Sequence, residues 1–257
     1  MTRQFRAAVT LQLRLSAATP DSYLVCVTTP LLTTFIVTVD RWAGHRTQIG
    51  NAVVAPTLIA LWMLALSVAG NAITEDRLIG TLEAQLGAPA SLAVTLFGRM
   101  CSVSLIGLVA FAEAWTAVGL LGGTGWMPVP HPVVLICCLV TSSLAAAGTA
   151  TLLSPLYVLL PSARVLQNTL SYPLYLLGGL AVPLTMFPWW LRTVTDLIFL
   201  TWSADLMRAS LAPAAVTDAP WRLLAIVALG AAGFLIGTAL MRRMIDRACR
   251  EGTVVLT

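Results

Sequence analysis

The sequence contains no lysine, and all 15 of its basic residues are arginine. A P-loop ATPase holds the β- and γ-phosphates with a lysine and a Schiff-base enzyme needs a lysine amine, so neither site can be built from this chain. Histidine is almost as scarce. His45 and His131 fall in expected outer loops without carboxylate or cysteine neighbours at metal-ligand spacing, and both read as solvated. Paired acids within apolar runs, His-x-x-x-x-Asp, His-Glu-x-x-His and Gly-x-Ser-x-Gly are all missing, which removes the ingredients of an intramembrane protease or acyltransferase. Five cysteines (Cys26, Cys101, Cys137, Cys138, Cys249) lack zinc, haem or thioredoxin spacing and read as small apolar packing residues. Charge is the last scarcity: 10% of residues are charged and 58% are hydrophobic, with a mean hydropathy of +0.87. A soluble surface cannot be made from that composition. The net charge of +4 comes from arginines spread along the chain, which points to the anionic membrane face and not to nucleic acid.

What remains is apolar sequence in long runs. A helix needs roughly 20 apolar residues to cross a bilayer, and six runs meet that need, at about 23–39, 52–73, 94–121, 133–153, 169–187 and 222–241. Residues 3–15 place Arg3, Arg6, Thr10 and Arg14 on one stripe and Phe5, Val9 and Leu13 on another, the pattern of a helix lying in the interface. The segment lacks a continuous apolar core, so no cleaved signal is expected. Residues 188–219 are too broken to span yet hold Trp189, Trp190 and Trp202, as suits a short helical hairpin half sunk in the membrane. The expectation is an all-α membrane protein, one transmembrane domain over 1–257 with six transmembrane helices.

Arginine sets the orientation. With the N-terminus inside, Arg3, Arg6, Arg14, Arg77, Arg99, Arg164, Arg242, Arg243, Arg247 and Arg250 are cytoplasmic, ten against the five of Arg41, Arg46, Arg192, Arg208 and Arg222. The positive-inside rule therefore puts both termini in the cytoplasm. The tryptophans at 42, 126, 189, 190, 202 and 221 gather at the opposite boundary, which makes the hairpin extracytoplasmic.

The most informative polar segment is 75–89. It opens with Glu75, Asp76 and Arg77, repeats leucine at 78, 82 and 86, and closes at Gly87 and Pro89. Acids suit a helix start and the four-residue repeat gives one apolar edge, so a short amphipathic helix is expected. On physical grounds it is equally an interfacial linker or a docking element. Asp76-Arg77-x-x-Gly80-Thr81-Leu82-Glu83, with Leu86 and Pro89, resembles the segment after the second span in ABC transporter permeases of the type-2 exporter family. Tyr172-Pro173-Leu174, Gly178-Gly179, Pro183-Leu184, Pro188-Trp189-Trp190-Leu191 and Asp205-Leu206-Met207-Arg208 are similar to that family's fifth span and outer re-entrant hairpin. The chain departs from the pattern at Leu78, Gln85 and Ala88, positions that bear on which ATPase docks.

The resemblance implies that 75–89 is a coupling helix, with Glu75, Asp76, Arg77, Gly80, Thr81, Leu82, Glu83 and Leu86 seated against a cytoplasmic ABC ATPase dimer. It also implies a second permease subunit, the same or different. ATP and magnesium would be bound by the ATPase partner, with no cofactor in this chain. The cargo expected is a hydrophobic or amphipathic small molecule, with a glycan or lipo-oligosaccharide as the alternative within the family. Expected localisation is the bacterial inner membrane. Candidates for the substrate pathway are Thr33, Glu113, Asn168 and Tyr172. Glu113 is the only acid inside an expected span, about 14 residues and so ~21 Å above Arg99. It can hold a cationic substrate or pair with Arg192 or Arg208. Span hydroxyls such as Thr33 more commonly bond to their own helix.

Overall fold

A computed structural model describes residues 9–12, 14, 20–42, 49–78, 92–121, 128–159, 163–180 and 187–251. Among these there is no strand. Residues 9–12 and 14, within the expected interfacial segment, are helical. The main helices are α1 (Pro20–Trp42), α2 (Ile49–Leu78), α3 (Leu92–Leu121), α4 (Pro132–Leu159), α5 (Ala163–Leu177), α6 (Trp189–Thr195), α7 (Phe199–Leu211) and α8 (Ala219–Glu251). The segments Gly50–Ala69, Pro132–Leu156 and Ala219–Met244 are long and apolar enough to cross a membrane by length and composition.

Helix α2 is the axis of the bundle, packed against α1, α3, α4, α5 and α7. Its sequence is apolar all round, and a helix with no polar face is stable only when other helices cover it. Trp62 at its centre is 2% exposed and stands 6.0 Å from the ring of Phe199 on α7. Helix α1 is two-faced at a four-residue repeat: Thr29, Thr33 and Val37 point inward while Val27, Leu31, Phe35 and Val39 are exposed. Span hydroxyls bond mainly to their own helices, as Thr33 to the carbonyl of Thr29 at 2.9 Å and Thr57 to that of Val53 at 2.7 Å.

The closest helix pair is α4 and α8. Apolar surfaces gain little from meeting each other in lipid, so spans associate through small residues that let backbones touch. Gly148 faces Gly230, and Gly237 faces Thr151; a Cβ built on Gly230 would stand 2.5 Å from the Cα of Ala145. Polar contacts join α4 to α7, where the Ser142 hydroxyl donates to Ser203 Oγ at 2.7 Å and the Cys138 thiol lies 3.6 Å from the Ser203 carbonyl.

One end of the bundle is tied together by side chains from distant parts of the chain. Arg208 on α7 donates to Asn51 Oδ1 at the start of α2 (2.6 Å), to the Gly179 carbonyl at the end of α5 (2.6 Å) and to Asp205 Oδ1 (3.3 Å). Burial lowers the guanidinium's pKa from its ordinary value, and Asp205 acts against that. Arg41 on α1 donates to the carbonyl of Leu121, which ends α3, at 2.7 Å. His131, just before α4, bonds the Ala214 carbonyl through its ring at 2.9 Å and the Ser210 carbonyl through its backbone N–H at 3.3 Å. His131 is thus half-buried and bonded, where the sequence reading has it solvated; the backbone after α7 folds over it.

Several boundaries differ from expectation: α4 runs to Leu159 and α8 to Glu251, where the runs were expected to end at 153 and 241, and the second and fifth runs differ as well. The fifth run was expected at 169–187, but its helix begins at Ala163 and stops at Leu177. Gly179 takes φ 67°, its N–H bonds the Leu176 carbonyl and that of Leu180 bonds the Tyr175 carbonyl. This is a Schellman stop, whose left-handed position favours glycine because it has no Cβ. The second run was expected to end at Ile73, but α2 continues through Glu75, Asp76 and Arg77 to Leu78. No glycine or proline interrupts 71–78, so nothing there ends the helix.

Replacing Gly230 with Val should lower stability by about 1–3 kcal/mol, because backbones must part. Ala232→Val on the exposed face should stay within about 0.5 kcal/mol. Thermal melting in detergent checks this, and equal midpoints would remove close approach from the account. Arg208→Ala should cost about 2–3 kcal/mol by removing charge-assisted bonds. Arg208→Lys should recover only part of that loss, since an ammonium cannot span three acceptors as a planar fork does. Full recovery by lysine in the same melts would show that charge alone matters there.

Candidate functional site

Between α1, α2 and α5 lies a cleft of about 500 Å³ lined by Thr28, Thr29, Leu31, Leu32, Pro56, Ile59, Ala60, Met63, Ser171, Tyr172 and Tyr175. Three local features shape it. The inward and outward stripes of α1 meet at its edge, so Thr29 is buried while Leu31 is 62% exposed. Pro56 of α2 and Pro173 of α5 sit within helices, where each removes a backbone donor and loosens the turn before it. Helix α5 turns Ser171, Tyr172 and Tyr175 toward the cleft, and the Arg208 bond to Gly179 anchors the end of that helix.

The cleft is apolar with a few hydroxyls, and no charged residue is among those that line it. The Ser171 hydroxyl reaches the sulfur of Met63 at 3.8 Å across the α2–α5 wall. Tyr172, 69% exposed, stands at the open side with Leu31. A site of this size and lining can take a small molecule by shape and apolar contact, with hydroxyls to orient it.

Of the four pathway candidates, Tyr172 lines the cleft. Asn168 lies on α5 one turn before Ser171 and Tyr172. Thr33 is fully buried and bonded within α1, outside the cleft lining. Glu113 of α3 also stands apart from the lining: its carboxylate meets the Cys26 thiol of α1, and its Oε2 is buried with no hydrogen-bond partner among the described residues. Arg208, one of the partners weighed for it, is engaged by Asn51, Gly179 and Asp205.

Of the coupling candidates, Glu75, Asp76 and Arg77 lie in the final turn of α2, while Gly80, Thr81, Leu82, Glu83 and Leu86 fall outside the described residues. No group of metal-ligating side chains forms among the described residues. Pro56, Ile59, Met63 and Tyr175 carry no signal in the sequence that marks them as lining, because a shared cleft requires knowing which helices are neighbours.

No curated protein matches the chain. Residues 3–212 match the family described as ABC-2 type transporter, which covers everything from the N-terminal helical segment through α7. With that match over most of its length, an all-helical fold and apolar helices of membrane-crossing length, the chain belongs to the ABC-2 type transporter family as a transmembrane permease subunit that works with an ABC ATPase subunit.

Proposed function

We propose that this permease exports a neutral hydrophobic or amphipathic small molecule, taken up in the cleft between α1, α2 and α5. The observation that carries this reading is the lining itself: apolar side chains and tyrosines, a few hydroxyls and no charge. A glycan presents many hydroxyls that each need a partner when buried, and such a wall supplies too few.

In this reading the chain crosses the bacterial inner membrane six times, with α1 to α5 and α8 as spans and α6 and α7 as an outer hairpin. The tethered end supports it, since α1, α3 and α5 finish there while α2 and α4 begin there. Exposed Trp42, Trp189, Trp190 and Trp221 share that end, as an aromatic belt at a membrane boundary would. Arg77, Arg99, Arg164, Arg242 and Arg243 lie toward the other ends of their helices, which supports cytoplasmic termini by the positive-inside rule. A second permease subunit closes the open side of the cleft, where Tyr172 and Leu31 are exposed beside the outward stripe of α1. The ATPase dimer supplies ATP and magnesium. It grips the segment 75–89, and because α2 runs without a break through Arg77, motion there is carried directly along the cleft wall.

Glu83→Arg combined with Leu82→Asp should leave membrane insertion intact and abolish co-purification of the ATPase; unchanged co-purification would sink the docking role. Tyr172→Ala should weaken binding of a neutral amphipathic dye about tenfold, or 1.4 kcal/mol, through loss of one aromatic contact. Fluorescence titration of the purified complex reads this, and an unaltered affinity would move the substrate out of the cleft.

A further inference from the structure

Glu113 of α3 is left unused by the cleft, and its surroundings give it a different task. It is the only acid between Glu83 and Asp196. Its carboxyl meets the Cys26 thiol of α1, and its Oε2 is buried with no hydrogen-bond partner among the described residues. We propose that Glu113 is a proton-binding site: the carboxyl carries a proton while α1 lies against α3 and yields it to water when α1 swings away at Pro30, so that one wall of the cleft moves with one proton.

Charge decides the first half. An ionised carboxylate in an apolar setting is stable only beside a cation, and among the described residues none is near. On α3 itself the closest is Arg99, 14 residues and so ~21 Å away. Arg41 of α1, next to Asp40, bonds the Leu121 carbonyl, eight residues and so ~12 Å along α3 from Glu113. Helix α2, which also packs on α3, has no titratable residue from Ile49 to Thr74. On α4, its third neighbour, Cys138 is engaged by Ser142 and Ser203, and Cys137 is exposed. Cys26 is the group that meets the carboxyl, and a thiol supplies no positive charge. The neutral acid is the form that fits.

Position decides the second half. Pro30 lies inside α1 and has no backbone N–H, so the Cys26 carbonyl four residues earlier loses its helical partner and the turn between them is loosened. That turn carries Cys26 against Glu113 and puts Thr28 and Thr29 in the cleft lining. Solvent does not reach Oε2 while the turn is packed, so water receives the proton only after α1 has moved. By linkage the reverse also holds: low pH favours the packed α1 and high pH the withdrawn one.

The test uses the purified full chain in lipid nanodiscs. At neutral pH, infrared absorption should show the C=O band of a protonated carboxyl that Glu113→Gln removes; loss of a carboxylate band instead would overturn the site. As pH rises the band should fade, and labelling of Cys26 by a neutral maleimide, mapped by peptide mass spectrometry, should quicken relative to Glu113→Gln by up to about tenfold per pH unit, the limit for one proton. A carboxylate beside the thiol would by itself slow its ionisation, so a rising ratio reports exposure of Cys26. A flat or falling ratio overturns the proposal. Should Glu113→Gln not fold, exposed Cys137 is the reference thiol in the same molecule, and the Cys26 to Cys137 ratio must rise over the pH range in which the band fades. The step from α1 to the cleft rests on the proposed function. Affinity for the neutral dye should fall with pH in wild type and stay level in Glu113→Gln; a level affinity in both, with band and labelling as expected, would overturn the cleft reading and not the proton site.

Discussion

The guanidinium of Arg208 ties together the helices that frame the cleft. Its three acceptors belong to the start of α2, the end of α5 and α7 itself. The end of α5 is held to α7 by that bond to the Gly179 carbonyl and by the Thr201 hydroxyl, which donates to the Leu177 carbonyl at 3.4 Å. Where α5 stands decides everything lateral to it. One face carries Ser171, Tyr172 and Tyr175 to the cleft, and the other carries Leu170, Pro173 and Leu174 toward α4 and α7. The Schellman stop is the partner device, because the left-handed Gly179 ends α5 and leaves its carbonyl to the guanidinium.

The rest of the bundle answers a different problem. In lipid, burying apolar surface against another apolar surface gains little, so helices are held by close backbone approach and by polar groups with nowhere else to bond. The α4–α8 contact uses the first device through Gly148, Gly230 and Gly237, and the α4–α7 contact uses the second through Ser142 and Ser203. Helix α8 lies beyond the residues that match the family, yet its contact with α4 is the most extensive between helices among the described residues. Its glycines explain how a helix whose apolar window is mostly exposed stays attached.

Much of this was legible along the chain, and the part that was not has a common cause. Runs of apolar residues mark helices because the bilayer demands backbone bonds within each segment, so α1 to α4 and α8 fall close to their expected places. The end of α5 falls just before Gly178-Gly179, but along the sequence a glycine pair reads as a bend or a close helix approach until the neighbouring carbonyls are known. Asn51 and Arg208 are 157 residues apart, and His131 meets a carbonyl 83 residues away. Periodicity carries no information about such pairings. The cleft was half legible for the same reason: Tyr172 and the hydroxyls were visible, but the grouping of α1 with α2 and α5 is a property of packing.

Glu113 shows how placement changes the chemistry attributed to a residue. An acid in an apolar span is expected to be functional, and a cationic cargo is the simplest partner for it. Yet Glu113 lies away from the cleft lining, against Cys26 on α1, while the cleft contains no charged side chain to select a cation. Under the proposed function, selection there comes from apolar fit, which discriminates weakly: one methylene in a hydrophobic pocket is worth only about 1–3 kcal/mol, and an added hydroxyl is rejected little better. A wall of Leu, Ile, Met and Tyr therefore suits a range of related apolar molecules rather than one. The hydroxyls of Thr28, Thr29 and Ser171 add orientation to that fit, because each can exchange its present bond for one to a passing carbonyl at small net cost.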